Sequence, residues 1–267
     1  MPASGHLVHM SSHIDVRTGR WAQAAEQNRQ ASAIDIAYRK ISPNHGIYHF
    51  YMAHDDHFLA WSRMMLGRRE EALTAARDML RKIPEDFAVA AAVFVDPLAS
   101  IEISALMRFG RWEEILNLPR PAEHLPITIA MWRFARGSAL AALGKVDEAL
   151  AEKTEFRKAV AALNEAVRRE DRQRYIEPPD WFQPARHSLG AILIAAGRFP
   201  EAEAVYRADL ERLPENGWAL YGLNRALKER NSPEAAEVKS RFQKAWAHAD
   251  INLTASCLCV SGEAAEN

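Results

Sequence analysis

The chain has 267 residues, of which 48% are hydrophobic and 26% are charged, and this balance is typical of a globular protein with a packed core. Its formal net charge of −1 excludes the strongly basic surface that nucleic-acid or anionic-membrane partners require. No apolar run approaches the roughly 20 residues of a membrane-spanning helix, and the N-terminus lacks the layout of a signal peptide, so we expect a cytoplasmic protein.

A six-residue word that begins with glycine recurs along the chain and predicts a series of helical hairpins. The glycine permits a sharp reversal of the backbone, and a small residue at the end of the word usually lets the second helix pack closely on the first. In chain order the words are GRWAQA (19–24), GRREEA (67–72), GRWEEI (110–115), GKVDEA (144–149) and GRFPEA (197–202). Asn231 takes the hinge position of a further, degenerate unit.

The unit over residues 184–214, PARHSLGAILIAAGRFPEAEAVYRADLERLP, resembles the tetratricopeptide repeat. The matching positions are Leu189, Gly190, Gly197, Phe199, Ala202, Tyr206 and Pro214. The same phase holds from Gly67 through Ala72 to Pro84, and the resemblance extends over nearly the whole chain. It implies an all-α, right-handed solenoid of about five helical hairpins plus a C-terminal helix, curved so that the first helices of the hairpins line a concave groove.

We expect a single solenoid domain over residues 1–252, because no linker rich in Gly, Ser or Pro separates two cores. Residues 253–267 form a predicted tail, whose Cys257 and Cys259 are too few for a disulfide framework, so we expect free thiols there. The chain opens directly in its first repeat, without a capping helix. We therefore expect either a fragment of a longer protein, or an N-terminal helix that a partner or a second copy covers.

Seven of the ten histidines lie before residue 58, within the first two repeats (5–84). His6, His9 and His13 are spaced i, i+3, i+7, which places them on one helix face, and His54 and His57 are spaced i, i+3. Counted back from their hinge glycines, the two sets occupy equivalent repeat positions. The tetratricopeptide resemblance implies that these positions face the concave groove. Because adjacent helices pack roughly 8–10 Å apart, the imidazoles could reach one metal ion.

The sequence therefore predicts a histidine-rich site for a transition metal, with Zn, Cu, Fe or Ni as candidates. A site with an open position could activate water or oxygen, as in a metal-dependent enzyme, although neither the reaction nor a catalytic residue can be assigned. The predicted ligands are His6, His9, His13, His54 and His57, supported by Asp15, Asp55, Asp56, His45 and His49.

Two words of the chain, GHLVHMSSHIDVRTGRW and HFYMAHDDHFLAWSRMMLGR, resemble those of a group of bacterial tetratricopeptide proteins of unassigned function. That group carries a His-x-x-His-Met-Pro-Ser-His-Ile run followed by a His-Asn-x-His-Phe word. This chain has Ser11 in place of the proline and Asp55 in place of the asparagine. The resemblance makes the histidine pattern more specific but implies no reaction.

The alternative hypothesis is a non-catalytic adaptor that binds a peptide or protein in the concave groove. A third is a groove that binds a small organic molecule, with histidine as a general base and no metal. Glycine-rich phosphate-binding motifs are absent, so no nucleotide cofactor is expected. The predicted groove residues are Arg17, Tyr48, Tyr51, Trp61, Arg63 and His187.

Overall fold

The computed structural model describes residues 4–42, 45–144, 168, 171–172 and 183–258. The regular secondary structure of these residues is helical, which confirms the all-α class. The helices are α1 (Gly5–His9), α2 (Ser12–Arg17), α3 (Trp21–Ile41), α4 (Tyr48–Met65), α5 (Arg69–Lys82), α6 (Glu85–Ala90), α7 (Ala92–Ala99), α8 (Ile101–Arg108), α9 (Trp112–Asn117), α10 (Pro126–Ala142), α11 (Ala185–Ala195), α12 (Phe199–Arg212), α13 (Gly217–Glu229) and α14 (Ala235–Ala245). Within the described ranges, no helix has the length and apolarity needed to cross a lipid bilayer.

The predicted hinges are confirmed by the backbone, which is left-handed at each of them. Their φ angles are 75° at Gly19, 68° at Gly67, 64° at Gly110, 65° at Gly144, 69° at Gly197 and 51° at Asn231. Each hinge follows one helix, and five of them separate two described helices: α2 from α3, α4 from α5, α8 from α9, α11 from α12 and α13 from α14. Residues 145–149, where the partner of α10 was predicted to begin, lie outside the described residues.

The predicted N-terminal helix is divided into α1 and α2 by a turn at Met10 and Ser11. The Ser11 hydroxyl donates a hydrogen bond to the carbonyl oxygen of Val8, 3.0 Å away, and such a local bond competes with the helical backbone pattern. Both Met10 and Ser11 keep right-handed helical dihedral angles. The histidines before and after the turn therefore remain close together.

The last repeats pack on the first ones, whereas the predicted open solenoid would contact only neighbouring repeats. The Trp218 indole N–H donates to the carbonyl oxygen of Met64 at 3.0 Å, and the Trp21 indole N–H donates to that of Pro214 at 2.9 Å. Asp250 accepts hydrogen bonds from the backbone N–H groups of Arg69 and Glu70 at 2.7 and 3.0 Å, and so caps the start of α5. Large indole rings and a distant capping carboxylate thus join the two ends of the described fold.

One hydrophobic cluster extends from Val16 in α2 to Leu253 and includes Trp61 and Trp218, which are buried. A smaller cluster around Tyr206 joins α11, α12, α13 and α14. Val16 of α2 and Phe58 of α4 belong to the larger cluster, so the two helices that carry His13 and His54 rest on a continuous core.

The expectation of free thiols is wrong for Cys257, which is disulfide-bonded. Cys257 lies in a segment of bends that follows α14. Cys259 and the rest of the predicted tail, residues 259–267, lie outside the described residues.

Two hinge glycines offer a matched test of the contact between the first and last repeats. A Cβ at residue 67 would overlap the Trp246 indole, whereas a Cβ at residue 197 would meet no atom within 4 Å. We expect Gly197→Ala to lower the free energy of unfolding by about 1–2 kcal/mol, the cost of a left-handed alanine. Gly67→Ala should cost a further 1–3 kcal/mol or so, because it also overpacks the contact.

Urea unfolding of both variants, alone and with Trp246→Ala, measures these costs. In the Trp246→Ala background the two alanine substitutions should have similar effects. If they already have similar effects in the otherwise unaltered protein, Trp246 does not pack on Gly67.

Candidate metal centre

Three of the predicted histidine ligands converge from three helices. His9 ends α1, His13 lies in α2 and His54 lies in α4, and one ring nitrogen of each lies within 4.8 Å of the others. The ring centroids of His9 and His54 are 4.7 Å apart, and those of His9 and His13 are also 4.7 Å apart. Helical spacing predicted that His9 and His13 lie on one face, and the tetratricopeptide resemblance implied that His54 faces the same space.

A buried hydrogen bond fixes the orientation of the His9 ring. Asn28 of α3 donates its amide N–H to the carbonyl oxygen of Ala24 at 2.8 Å, which turns the amide oxygen toward His9. That oxygen lies 2.6 Å from His9 Nδ1, which must therefore donate, and the neutral ring then has its lone pair on Nε2. An outer hydrogen bond of this kind fixes the tautomer of ligating histidines in metalloproteins.

The His9 Nε2 atom lies 2.9 Å from His13 Nε2. Two ligands in adjacent positions around one ion, each at about 2.0–2.1 Å from it, are separated by roughly 2.8–3.4 Å, depending on the angle between them. The two nitrogens therefore already have the separation of ligands that share an ion. Without an ion, His13 would donate its Nε2 proton to His9.

Burial keeps two of the three imidazoles neutral. Removal from water lowers the pKa of His9 to about 4 and that of His54 to about 2, and the neighbouring imidazoles act in the same direction. At neutral pH both rings are therefore uncharged, as metal coordination requires.

A second group of side chains that could hold a metal ion adjoins the first and consists of His6, His9 and Asp55. His6 Nδ1 donates to Asp55 Oδ1 at 3.0 Å, and His9 Nδ1 lies 3.7 Å from the same oxygen. Asp55 is fully buried in α4. Of the predicted supporting carboxylates, it is the one that lies among the ligands.

Asp35 of α3 extends this group and was not predicted from the sequence. Burial and the nearby Asp55 carboxylate raise the pKa of Asp35 to about 7, and burial also raises the pKa of Asp55. The Tyr48 hydroxyl donates to Asp35 Oδ1 at 3.1 Å. A Cβ on Gly5 would overlap this carboxylate, so α1 can lie this close only with glycine there.

Asn28 was also missed. Asn28 and Asp35 are seven residues apart in α3, so they lie on one face of that helix and meet α1 together. Polar residues that repeat at helical spacing on a face otherwise rich in alanine were the available signal.

Aromatic rings surround the ligands. The Phe58 ring lies 5.0 Å from the His9 ring and 4.9 Å from the His13 ring, in edge-to-face contact with both. Tyr51 lies 4.6 Å from His6, between ring centroids. These apolar walls lower the local dielectric and so strengthen interactions within the site.

Other predicted ligands and supporting residues lie elsewhere among the described residues. His57 is buried and belongs to neither group, although its spacing from His54 is the same as that between His6 and His9. The Asp15 carboxylate pairs with Arg20 at 2.6 Å, and the Asp56 carboxylate pairs with Lys82 at 2.8 Å. His45 and His49 line a separate cleft.

Two of the predicted groove residues are packing residues instead. Trp61 is 1% exposed and packs edge-to-face on Trp21, with 5.1 Å between ring centroids. His187 is 0% exposed and lies between Arg108, 2.9 Å from its Nδ1, and Asp209, 2.8 Å from its Nε2. Both were predicted to lie in the groove, but Trp61 packs on Trp21 of the preceding helix and His187 is enclosed by Arg108 of α8 and Asp209 of α12.

The remaining groove residues have mixed surroundings. Tyr48 and Tyr51 adjoin the second ligand group through Asp35 and His6. Arg17 is exposed, and Arg63 pairs with the Glu71 carboxylate at 3.2 Å.

Comparisons with protein-family models, with curated proteins and with solved structures found no match to this chain.

The buried histidines predict a loss of stability in acid. Burial lowers the pKa of His57 to about 3, whereas an unfolded histidine has a pKa near 6.5, so below pH 6.5 the unfolded chain binds a proton that the folded chain does not. Lowering the pH from 7.5 to 5.5 should therefore cost roughly 1.4 kcal/mol through His57 alone. Asp35, with its raised pKa, acts in the opposite direction, so the comparison must be made between variants.

The test is the free energy of urea unfolding of the unaltered chain and of His57→Gln at the two pH values, with a chelator present. On acidification His57→Gln should lose roughly 1.4 kcal/mol less of its free energy of unfolding than the unaltered chain. Equal losses in the two proteins would mean that His57 titrates normally in the folded state.

Proposed function

We propose that the protein binds a transition-metal ion through His9, His13 and His54, with His6 and Asp55 beside it. The observation that carries this proposal is the 2.9 Å separation of His9 Nε2 and His13 Nε2, with His54 on the same space and Asn28 holding the tautomer of His9. The lone pair of His9 Nε2 faces His13, and an ion bound between the two rings would take the place of the His13 proton.

The donor set favours a metal that accepts several neutral imidazoles, such as Zn, Cu, Fe or Ni. Three protein ligands leave a coordination position open, and an ion bound in this way can lower the pKa of a coordinated water. His6 donates Nδ1–H to Asp55, so its Nε2 has a lone pair that can accept a proton. This arrangement supports a metal-dependent enzyme as the biological role.

The proposal includes a tetratricopeptide-like, right-handed solenoid as the scaffold of the site. It also includes a bacterial origin and a cytoplasmic location for the protein. Support comes from the left-handed hinges at the repeat words and from the helical hairpins between which they lie. The repeat pattern predicts contacts between neighbouring hairpins only, so it does not account for the contact between the first and last repeats.

The adaptor function is the alternative. It has less support, because Trp61 and His187, two of the side chains predicted to contact a bound peptide, are buried in packing contacts. An adaptor would bind its partner equally well in the presence of a chelator, whereas the metal-binding function requires stoichiometric metal.

Two double variants test the ligand assignment with equal numbers of histidines removed. We expect the unaltered protein to bind about one equivalent of Zn²⁺. In His13→Ala/His54→Ala the affinity should fall by more than the roughly 100-fold that loss of an outer hydrogen bond costs. His45→Ala/His49→Ala should bind Zn²⁺ like the unaltered protein, because neither residue belongs to the ligand groups.

The measurements are metal content by plasma mass spectrometry after dialysis and Zn²⁺ titration against a competing chelator. An unaltered protein that takes up none of the four candidate metals would overturn the proposal. Equal loss of binding in the two double variants would overturn the ligand assignment.

Asn28 supplies a finer test. Removing its side chain in Asn28→Ala leaves His9 Nδ1 without its acceptor, and we expect a 10–100-fold loss of Zn²⁺ affinity at unchanged stoichiometry. Asn28→Asp keeps an acceptor oxygen and should retain most of the affinity. If Asn28→Ala binds Zn²⁺ as tightly as the unaltered protein, Asn28 does not orient a ligand.

A further inference from the structure

A cleft between the start of α4 and α6 carries a set of polar groups that the metal centre does not use. It has a volume of about 770 Å³, and Arg39, His45, His49, Asp86 and Phe87 are among the residues that line it. This size falls within the range of small-molecule sites. None of these residues belongs to the two groups of potential metal ligands.

Arg39 of α3 is a half-buried cation with unused donors. In the described part of the chain its hydrogen bond runs from Nη1 to the carbonyl oxygen of Lys82, at 3.0 Å. The nearby Asp56 carboxylate is held by the Lys82 ammonium at 2.8 Å. No described residue accepts from the other four N–H groups of the guanidinium, whose fork geometry matches a carboxylate or phosphate.

The two histidines add further donors. The Nδ1 atoms of His45 and His49 are buried and have no hydrogen-bond partner among the described residues. Burial lowers the pKa of both rings, and the Arg39 charge acts in the same direction, so each ring is neutral at pH 7 and can place its single N–H on Nδ1. A buried polar atom without a partner costs free energy that a ligand can recover.

The walls of the cleft are flat rings. Phe87 and His49 both line the cleft, and their ring centroids lie 5.2 Å apart. Rings at such distances offer stacking surface to a planar ligand. The exposed Asp86 carboxylate is the opposing charge, and it accepts a hydrogen bond from the backbone N–H of Phe87 at 2.9 Å.

We propose that this cleft binds a small organic anion, a carboxylate or phosphate on a flat ring, with its oxygens on Arg39 and its ring against Phe87 and His49. The two histidines donate to the same oxyanion. The Asp86 carboxylate repels the anion and so weakens its binding. The site is independent of the proposed metal, because it shares no ligand residue with that centre.

Calorimetric titration with benzoate, phenyl phosphate and inorganic phosphate, in the presence of a chelator, tests the site. We expect benzoate or phenyl phosphate to bind with a dissociation constant below about 1 mM. Inorganic phosphate should bind more weakly, because it lacks the ring, and the comparison of the two aromatic ligands identifies the preferred anion.

Two substitutions should act in opposite directions. Arg39→Gln should weaken binding about tenfold or more, and Asp86→Asn should strengthen it several-fold, since it removes a repelling charge. A folding defect cannot produce a gain, so the second variant keeps the test informative if the first is unstable. Arg29→Gln, which alters an exposed arginine paired with Glu26 on the same helix, is the control and should leave binding unchanged.

The proposal is overturned if none of the three anions binds at millimolar concentration. It is also overturned if Arg39→Gln folds and binds like the unaltered protein, or if Asp86→Asn fails to strengthen binding. Because the chelator is present throughout, a failure here leaves the metal proposal untouched, and loss of metal binding leaves this one untouched.

Discussion

The left-handed backbone at the hairpin hinges is the constraint on which the rest of the packing depends. Each hinge reverses the chain within a few residues, so consecutive helices lie side by side and bury their apolar faces on each other. Gly67 shows how far this constraint extends, because the same residue reverses the chain and leaves room for the Trp246 indole of the last repeat. The hinge and the contact between the two ends of the fold therefore depend on one missing side chain.

The proposed metal centre is a set of polar groups that the fold has removed from water. His9, Asn28 and Asp55 are each 0% exposed, and burial of polar groups costs free energy unless they are hydrogen-bonded. The bonds from His9 to Asn28 and from His6 to Asp55 offset part of that cost. In the proposed function a bound ion would satisfy the remaining lone pairs, so metal binding and folding stability would be coupled.

The α4 helix and the turn before it distribute histidines to three different environments. His54 meets α1 and α2, His57 enters the buried core, and His49 lies on the cleft with His45. Positions three residues apart differ by roughly 60° around a helix, and positions five apart by roughly 140°. A run that reads as one histidine-rich segment therefore serves a candidate metal centre, a core and a candidate anion site.

Helical periodicity and turn chemistry are local properties, so the sequence alone determined the all-α class and the hinges from Gly19 to Asn231, which depend on them. It also predicted one helix face for His6, His9 and His13, whereas in the structure a turn separates His13 from the other two. It could not place Asn28 and Asp35 beside the histidines, because that contact depends on how closely α1 approaches α3 over Gly5. Nor could it exclude His57 from the ligand groups or bury His187 between Arg108 and Asp209. Those outcomes were decided by the tertiary structure, since they depend on rotations of a helix about its axis and on contacts such as Trp218 with Met64, between residues far apart in the chain.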